Sequence, residues 1–380
     1  MFKVIQNAEV FAPIYKGRQS ILIANDKIIK IGDIDIEKLQ NSGLPVEVYD
    51  AEHNIVTPGI VEPHIHLLGG GGESGFHTRT PESKITEIVA GGITTVVGLI
   101  GTDGITRPLS ALLAKTRALE TEGITAYMYT GNYHLPVATL TGTIKEDITY
   151  IDKIIGTAEI AINDFRSSIP TEEELARIIA DTTVAGMLAQ KAGVTHFHVG
   201  GGKRGLEPLH NIIEKYDVLP QNIYITHIDR TVKLLEDALN LAFKGAYVDI
   251  TASDKTKDSV KHYKSKGGDM TRLTISTDGY GSLPKFDDEG NLVGYGVAKP
   301  TTTLEQIQEL LKEGGDIQEI ISLVTSNVAR VLKMPHKGRL KKQADADIMI
   351  LHRHTFDLEG LIARGNWMIK DKEIIVKNTF

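Results

Sequence analysis

From residue 55 onward, short apolar runs recur along the chain with segments of helical period between them. The runs cover 55–63, 93–100, 124–129, 158–162, 194–199, 223–227, 247–250 and 273–278. Their near-continuous Ile, Val, Thr and Tyr content is that of strands buried on both faces, as in a parallel sheet. Between them, 172–191 and 231–244 repeat apolar residues at three- and four-residue spacing, the pattern of a helix with one face turned inward. Eight strands alternating with helices predict an α/β fold, a (β/α)8 barrel of the TIM type, with its reactive groups at the carboxyl ends of the strands.

The two ends of the chain read differently. Residues 20–24 and 27–32 are short strands around an Asn25-Asp26 turn. After a helical region at 304–332, short strands return at 347–352, 360–365, 367–370 and 373–377. Two β segments flanking a barrel predict a small discontinuous β-sandwich domain. The expected division is 1–55 and 337–380 for the small domain and 56–336 for the barrel.

Composition agrees with this picture and narrows the chemistry. A length of 380 residues with 41% hydrophobic content accommodates one barrel of about 250 residues plus a small domain. The net charge of −7 is mild and spread along the chain, and no basic cluster argues for a nucleic-acid partner. The amino terminus lacks an apolar signal core, and no stretch approaches the roughly 18 apolar residues of a membrane span. A cytoplasmic protein without a membrane partner is the expectation. Cysteine is absent, so any metal must be held by nitrogen and oxygen.

The candidate chemistry lies at the predicted strand ends. His64 and His66 close the first run, and residues two apart on a strand point the same way. Such a pair is common and marks little alone, but the other strand ends carry Glu159, His198, His227 and Asp278. Four histidines and two carboxylates can hold two divalent ions. A single histidine near a strand end is more often a hydrogen-bonded core group, and Asp278 before Gly279 also fits a turn. The joint placement carries the argument. His196 shares a strand face with His198 and competes with it, whereas the remaining eight of the 13 histidines fall in turns, helices or the tail.

This order resembles the amidohydrolase superfamily, in which His-x-His is followed by a bridging carboxylated lysine or glutamate, two single histidines and a final aspartate. Within it the chain is most similar to the isoaspartyl (β-aspartyl) dipeptidase family, through residues 64–75, 78–81, 98–104, 130–136, 164–167, 226–230 and 276–284. The run of four glycines before Glu73 is more specific than His-x-His. The resemblance implies a metallo-dipeptidase that cleaves the β-peptide bond of isoaspartyl dipeptides with a metal-bridged hydroxide. It implies two divalent ions, zinc in the first instance, held by His64, His66, Glu159, His198, His227 and Asp278, although such ligands also suit cobalt, manganese or iron. Glu159 stands where the familiar members carry a carboxylated lysine. It offers a similar oxygen pair on a shorter arm, and some relatives with glutamate here keep one ion.

The resemblance also assigns roles around the ions. Asp278 is implied as the proton shuttle, and Tyr133 as support for the oxyanion. Glu73 is assigned to the substrate ammonium, with Gly71, Arg166 and Arg230 for its carboxylates and Thr102 and Ser282 as hydroxyl donors. A small-molecule substrate and a homo-oligomer, up to an octamer, are implied as partners. Two other readings stand beside this one: a different amidohydrolase, such as an N-acyl amino acid or amino sugar deacetylase, and a non-catalytic scaffold that has lost its metals.

Overall fold

A computed structural model describes residues 2–286 and 292–379. Eight strands form the barrel sheet: Ile60–Ile65, Ile93–Gly98, Thr125–Thr130, Ile154–Ile162, Val194–Val199, Ile223–Thr226, Tyr247–Thr251 and Leu273–Ser276. They pair in parallel in chain order, and the ring closes where Ile65 pairs with Gly279 and the His66 N–H donates to Gly279 O at 2.9 Å. These strands are almost wholly buried because helices cover their outer faces while their own side chains fill the interior, which is why they read as unbroken apolar runs. The long helix Glu172–Ala189 starts at a capping box, with Thr171 and Glu174 satisfying each other's backbone N–H groups. The helical region expected at 304–332 is three helices, Thr302–Lys312, Ile317–Val324 and Ser326–Val331. Among the described residues, no helix is long and apolar enough to cross a membrane.

The two ends of the chain combine into one nine-stranded sheet. Its joint is Ile55–Pro58, which pairs in parallel with Phe2–Phe11 on one side and antiparallel with Ile348–Leu351 on the other. The edge strand Lys27–Gly32 curls back to the tail, where the Ile28 N–H donates to Ala344 O at 3.0 Å and the Gln343 N–H to Ile28 O at 2.8 Å. The sheet thus folds over a core of its own, with Ile5, Val10, Ile21, Ile23 and Ile362 among its members. The apolar run 55–63, read as one barrel strand, divides between the two sheets. Gly59 donates to Asp347 O in the tail, whereas Ile60 donates to Gly92 O in the barrel, both at 3.0 Å.

Ile348–Leu351 joins the two parts because both of its faces are apolar. Side chains alternate along a strand, so Ile348 and Ile350 enter the small core while Met349 and Leu351 enter the barrel core. A buried cation reinforces the joint. Lys337 Nζ lies 2.6 Å from Asp347 Oδ2, 2.8 Å from Asp345 Oδ2 and 2.6 Å from Thr125 Oγ1 at the start of the third barrel strand. Burial alone lowers the pKa of Lys337, but the two carboxylates outweigh it and hold the ammonium above the ordinary lysine value. Lys337→Met leaves the buried Asp347 without its cation, and the expected loss is about 3–5 kcal/mol of unfolding free energy. A lowered urea midpoint checks this; an unchanged midpoint would show that the ion pair does not hold the two parts together.

Candidate active site

The carboxyl ends of the barrel strands open into a cavity of about 640 Å³. The first strand delivers His64, the fourth Glu159 and the fifth His198, while His66, His227 and Asp278 lie just past the first, sixth and eighth. His227 and Asp278 have left-handed backbones, with φ of 64° and 49°, a conformation uncommon outside glycine. There the chain leaves the strand direction and the side chain joins the cluster.

All six expected ligands meet. Fully buried Glu159 is the hub: its Oε1 lies 3.0 Å from His198 Nδ1, 3.3 Å from His227 Nε2 and 3.6 Å from His64 Nε2, and its Oε2 lies 3.9 Å from His66 Nε2. Asp278 Oδ1 is 3.3 Å from His64 Nε2 and 3.0 Å from His66 Nε2. The ligand atoms fall into overlapping groups, His64 with His66 and Glu159, Glu159 with His198 and His227, and His64 with His227 and Asp278. Glu159 belongs to two of them, as the bridge of a two-ion site requires.

The donor set fits divalent ions. Among the described residues, His64 Nε2, Glu159 Oε2 and Asp278 Oδ1 are buried with no hydrogen-bond partner. The outer nitrogens of three imidazoles are already taken: His64 Nδ1 by His196 Nε2 at 2.8 Å, His227 Nδ1 by Thr251 Oγ1 at 2.6 Å and His198 Nε2 by Asp164 Oδ2 at 2.9 Å. Asp164 can only accept, so the inner nitrogen of a neutral His198 turns its lone pair toward Glu159, an arrangement that repels unless a cation or proton lies between. The electrostatics agree. Burial alone raises the Glu159 carboxyl, but His64, His198 and His227 hold it well below the usual range. Burial lowers His64, yet Glu159 and Asp278 push it up to about 9.

His196, the competitor of His198, takes a different place. Its Nδ1 is 3.3 Å from Tyr224 O and its Nε2 meets His64, so it lies behind His64 and orients it. Burial, and then the neighbouring His64, hold its pKa well below that of free histidine.

The residues assigned to substrate border the same cavity. Glu73 Oε1 is 3.2 Å from both Arg166 Nη1 and Thr102 Oγ1, and Gly71, Arg230 and Ser282 line the wall. The glycine run is a steric requirement. A Cβ on Gly69 would lie 2.3 Å from Thr80 O, and one on Gly71, at φ 70°, would lie 2.6 Å from Thr78 O. Tyr133 is buried with its hydroxyl oxygen 2.8 Å from His198 Nδ1, and the Arg166 guanidinium lies over its ring at 5.4 Å. Burial holds the Tyr133 phenol well above its ordinary pKa, so it stays a donor.

Two buried carboxylates escaped the sequence reading. Glu62 accepts the His64 N–H on one oxygen and the Thr277 N–H on the other, both at 2.9 Å, and so ties the first strand to the end of the eighth. Burial pushes its pKa up to about 8. An acid inside the run Ile60-Val-Glu-Pro was the available signal. Asp164 grips both His198 and Arg166; it stands in a segment that carried the family resemblance, but only folding shows what it touches.

Comparison with known proteins places this site in a family. Residues 55–368 match the Amidohydrolase family. A solved structure of β-aspartyl dipeptidase from Fervidobacterium islandicum AW-1, in complex with a β-Asp-Leu dipeptide, is 44% identical, with both chains covered in full and a TM-score of 0.93. A second β-aspartyl dipeptidase structure from the same organism is 41% identical over 100% of both chains, with a TM-score of 0.91. A dihydroorotase from Ehrlichia canis is 24% identical over 89% of this chain and 83% of its own length. The chain is a hydrolytic enzyme that belongs to the amidohydrolase family, in the group formed with the β-aspartyl dipeptidases.

Proposed function

We propose that the protein hydrolyses the β-peptide bond of isoaspartyl dipeptides at a two-ion centre held by His64, His66, Glu159, His198, His227 and Asp278. The observation that carries this reading is Glu73, held by Arg166 and Thr102 at 3.2 Å each on the wall of the cavity that also contains the six ligands. An acid and its neighbouring cation, adjacent at the mouth of a hydrolytic centre, suit a substrate carrying both an ammonium and carboxylates. In a β-linked dipeptide the α-ammonium and an α-carboxylate share one carbon, removed from the scissile carbonyl by a methylene. Glu73 takes the ammonium, and the Gly71 backbone and the Thr102 and Ser282 hydroxyls serve the carboxylate beside it. Arg166 and Arg230 supply guanidinium groups for carboxylates. The solved relative from Fervidobacterium islandicum, which holds β-Asp-Leu, supports the same substrate class.

Divalent ions, zinc in this proposal, supply Lewis acidity and bring the pKa of water toward neutrality when bound. The chain's own groups do the rest. Asp278 borders both the cavity and the ligand cluster, which suits it to take a proton from the attacking water and return it to the leaving amine. Tyr133 keeps its proton and offers its O–H to the oxygen that gains charge in the tetrahedral transition state.

A hydrolysis screen tests the reading. β-Asp-Leu is expected to be turned over in preference to α-Asp-Leu and N-acetylated amino acids, with loss of activity on chelation and recovery on adding zinc. Preferential turnover of the N-acetylated compounds would instead establish a deacetylase. Glu73→Gln is expected to lower kcat/KM on β-Asp-Leu by about 10–100-fold, the range for a charged hydrogen bond, and a comparable loss on N-blocked substrates would contradict the ammonium role. Asp278→Asn is expected to reduce kcat by about 100-fold or more while most of the metal is retained; near-normal kcat would remove Asp278 as the shuttle. Glu159→Ala should lower the zinc bound per chain in elemental analysis, whereas unchanged stoichiometry would move the bridge elsewhere.

A further inference from the structure

We infer that Asp164 is a positioning residue whose single carboxylate fixes both a metal ligand, His198, and the recognition arginine, Arg166. The second half rests on the proposed role of Arg166 toward substrate carboxylates.

Asp164 lies two residues beyond the fourth barrel strand, Ile154–Ile162, after a left-handed turn at Asn163 with φ of 54°. Its side chain is only 5% exposed, and it meets four donors. Oδ1 accepts the Arg166 backbone N–H at 2.9 Å and the Nε–H at 3.0 Å. Oδ2 accepts the Arg166 Nη2–H at 2.8 Å and the His198 Nε2–H at 2.9 Å. Both oxygens are thereby saturated. Burial disfavours the charge, but His198 and Arg166 hold the carboxyl far below the usual carboxylate range.

Each contact has a consequence across the site. A neutral imidazole carries one N–H, and Asp164 draws it to Nε2. His198 Nδ1 then keeps its lone pair, facing Glu159 Oε1 at 3.0 Å, with the Tyr133 hydroxyl 2.8 Å away. The same carboxylate takes the Nε and Nη2 edge of Arg166, which leaves Nη1 directed to Glu73 at 3.2 Å and to the cavity. One carboxylate thus sets the tautomer of a ligand and the rotamer of a guanidinium, with no contact to substrate required. Asparagine offers one neutral oxygen and an NH₂ donor in the same space: with its oxygen in the Oδ2 place it keeps only uncharged contacts to His198 and Nη2 and sets its NH₂ against the Arg166 Nε–H and backbone N–H, and in the reverse orientation it opposes His198.

The test uses the full-length enzyme and the variants Asp164→Asn, Asp164→Ala, Arg166→Ala and the double alanine variant. Zinc dissociation constants are measured by chelator competition, and kcat and KM on β-Asp-Leu with zinc in excess. Asp164→Asn is expected to weaken zinc binding by about 10–100-fold, the usual effect of losing a ligand's outer partner, while Arg166→Ala leaves zinc affinity unchanged. Asp164→Ala is expected to raise KM, and the double variant to show no higher KM than Arg166→Ala alone, because the two changes remove one arrangement. Wild-type zinc affinity in both Asp164→Asn and Asp164→Ala overturns the metal half. Independent, multiplying losses in KM overturn the coupling. If Asp164→Ala fails to fold, the size-matched Asp164→Asn paired with Arg166→Ala decides the same comparison. Should the wild-type enzyme leave β-Asp-Leu intact, the dipeptide reading falls, while the zinc measurements still decide the role of Asp164 toward His198.

Discussion

A carboxylate shut away from water among imidazoles needs compensating positive charge, and the interior of this barrel is arranged around that need. Glu159 is fully buried and surrounded by the inner nitrogens of His64, His66, His198 and His227. Three of those rings are turned toward it by groups on their far side, His196, Asp164 and Thr251. Beneath them lies a network of buried polar groups. Asp249, for instance, accepts hydroxyls from Thr226, Tyr224, Thr274 and Ser276. The cluster therefore stands on a hydrogen-bonded floor, and the orientations of His64 and His198 trace to neighbours behind them, His196 and Asp164.

The fold supplies the positions. Parallel strands in chain order bring residues from 64 to 278 to one end of a closed ring, and the loops that follow them form the cavity wall. The first barrel strand, which leads into His64 and His66, continues without a loop from Ile55–Pro58 in the small sheet. His64 and His66 thus project from a segment anchored at both ends, by the small sheet before it and by the ring closure at Gly279 after it.

Much of this was legible in the residues. The strand runs were clear because burial on both faces removes polar interruptions, and side-chain alternation put His64 and His66 together. Alternation also put His196 with His198, and only depth separates them: two residues along a strand is about 6.6 Å, a whole layer of the barrel interior. The break at Gly59 was invisible because the sequence is equally apolar on either side of it. Nor does sequence announce the left-handed backbones of His227 and Asp278, since neither is a residue that requires one. Asp164 was in view as part of a segment, but its importance depends on His198 and Arg166 lying on either side of one carboxylate, a fact of three-dimensional proximity.

The strand Ile348–Leu351 has a meaning for how the molecule assembles. It lies late in the chain, yet both hydrophobic cores contain its side chains, and the amino-terminal strands meet the tail through it. A growing chain emerging from the ribosome presents most of the barrel sequence before this strand exists, so neither core can be completed from the residues already made. The two parts that look separable by their sheets share this one strand, and removing it would open both cores.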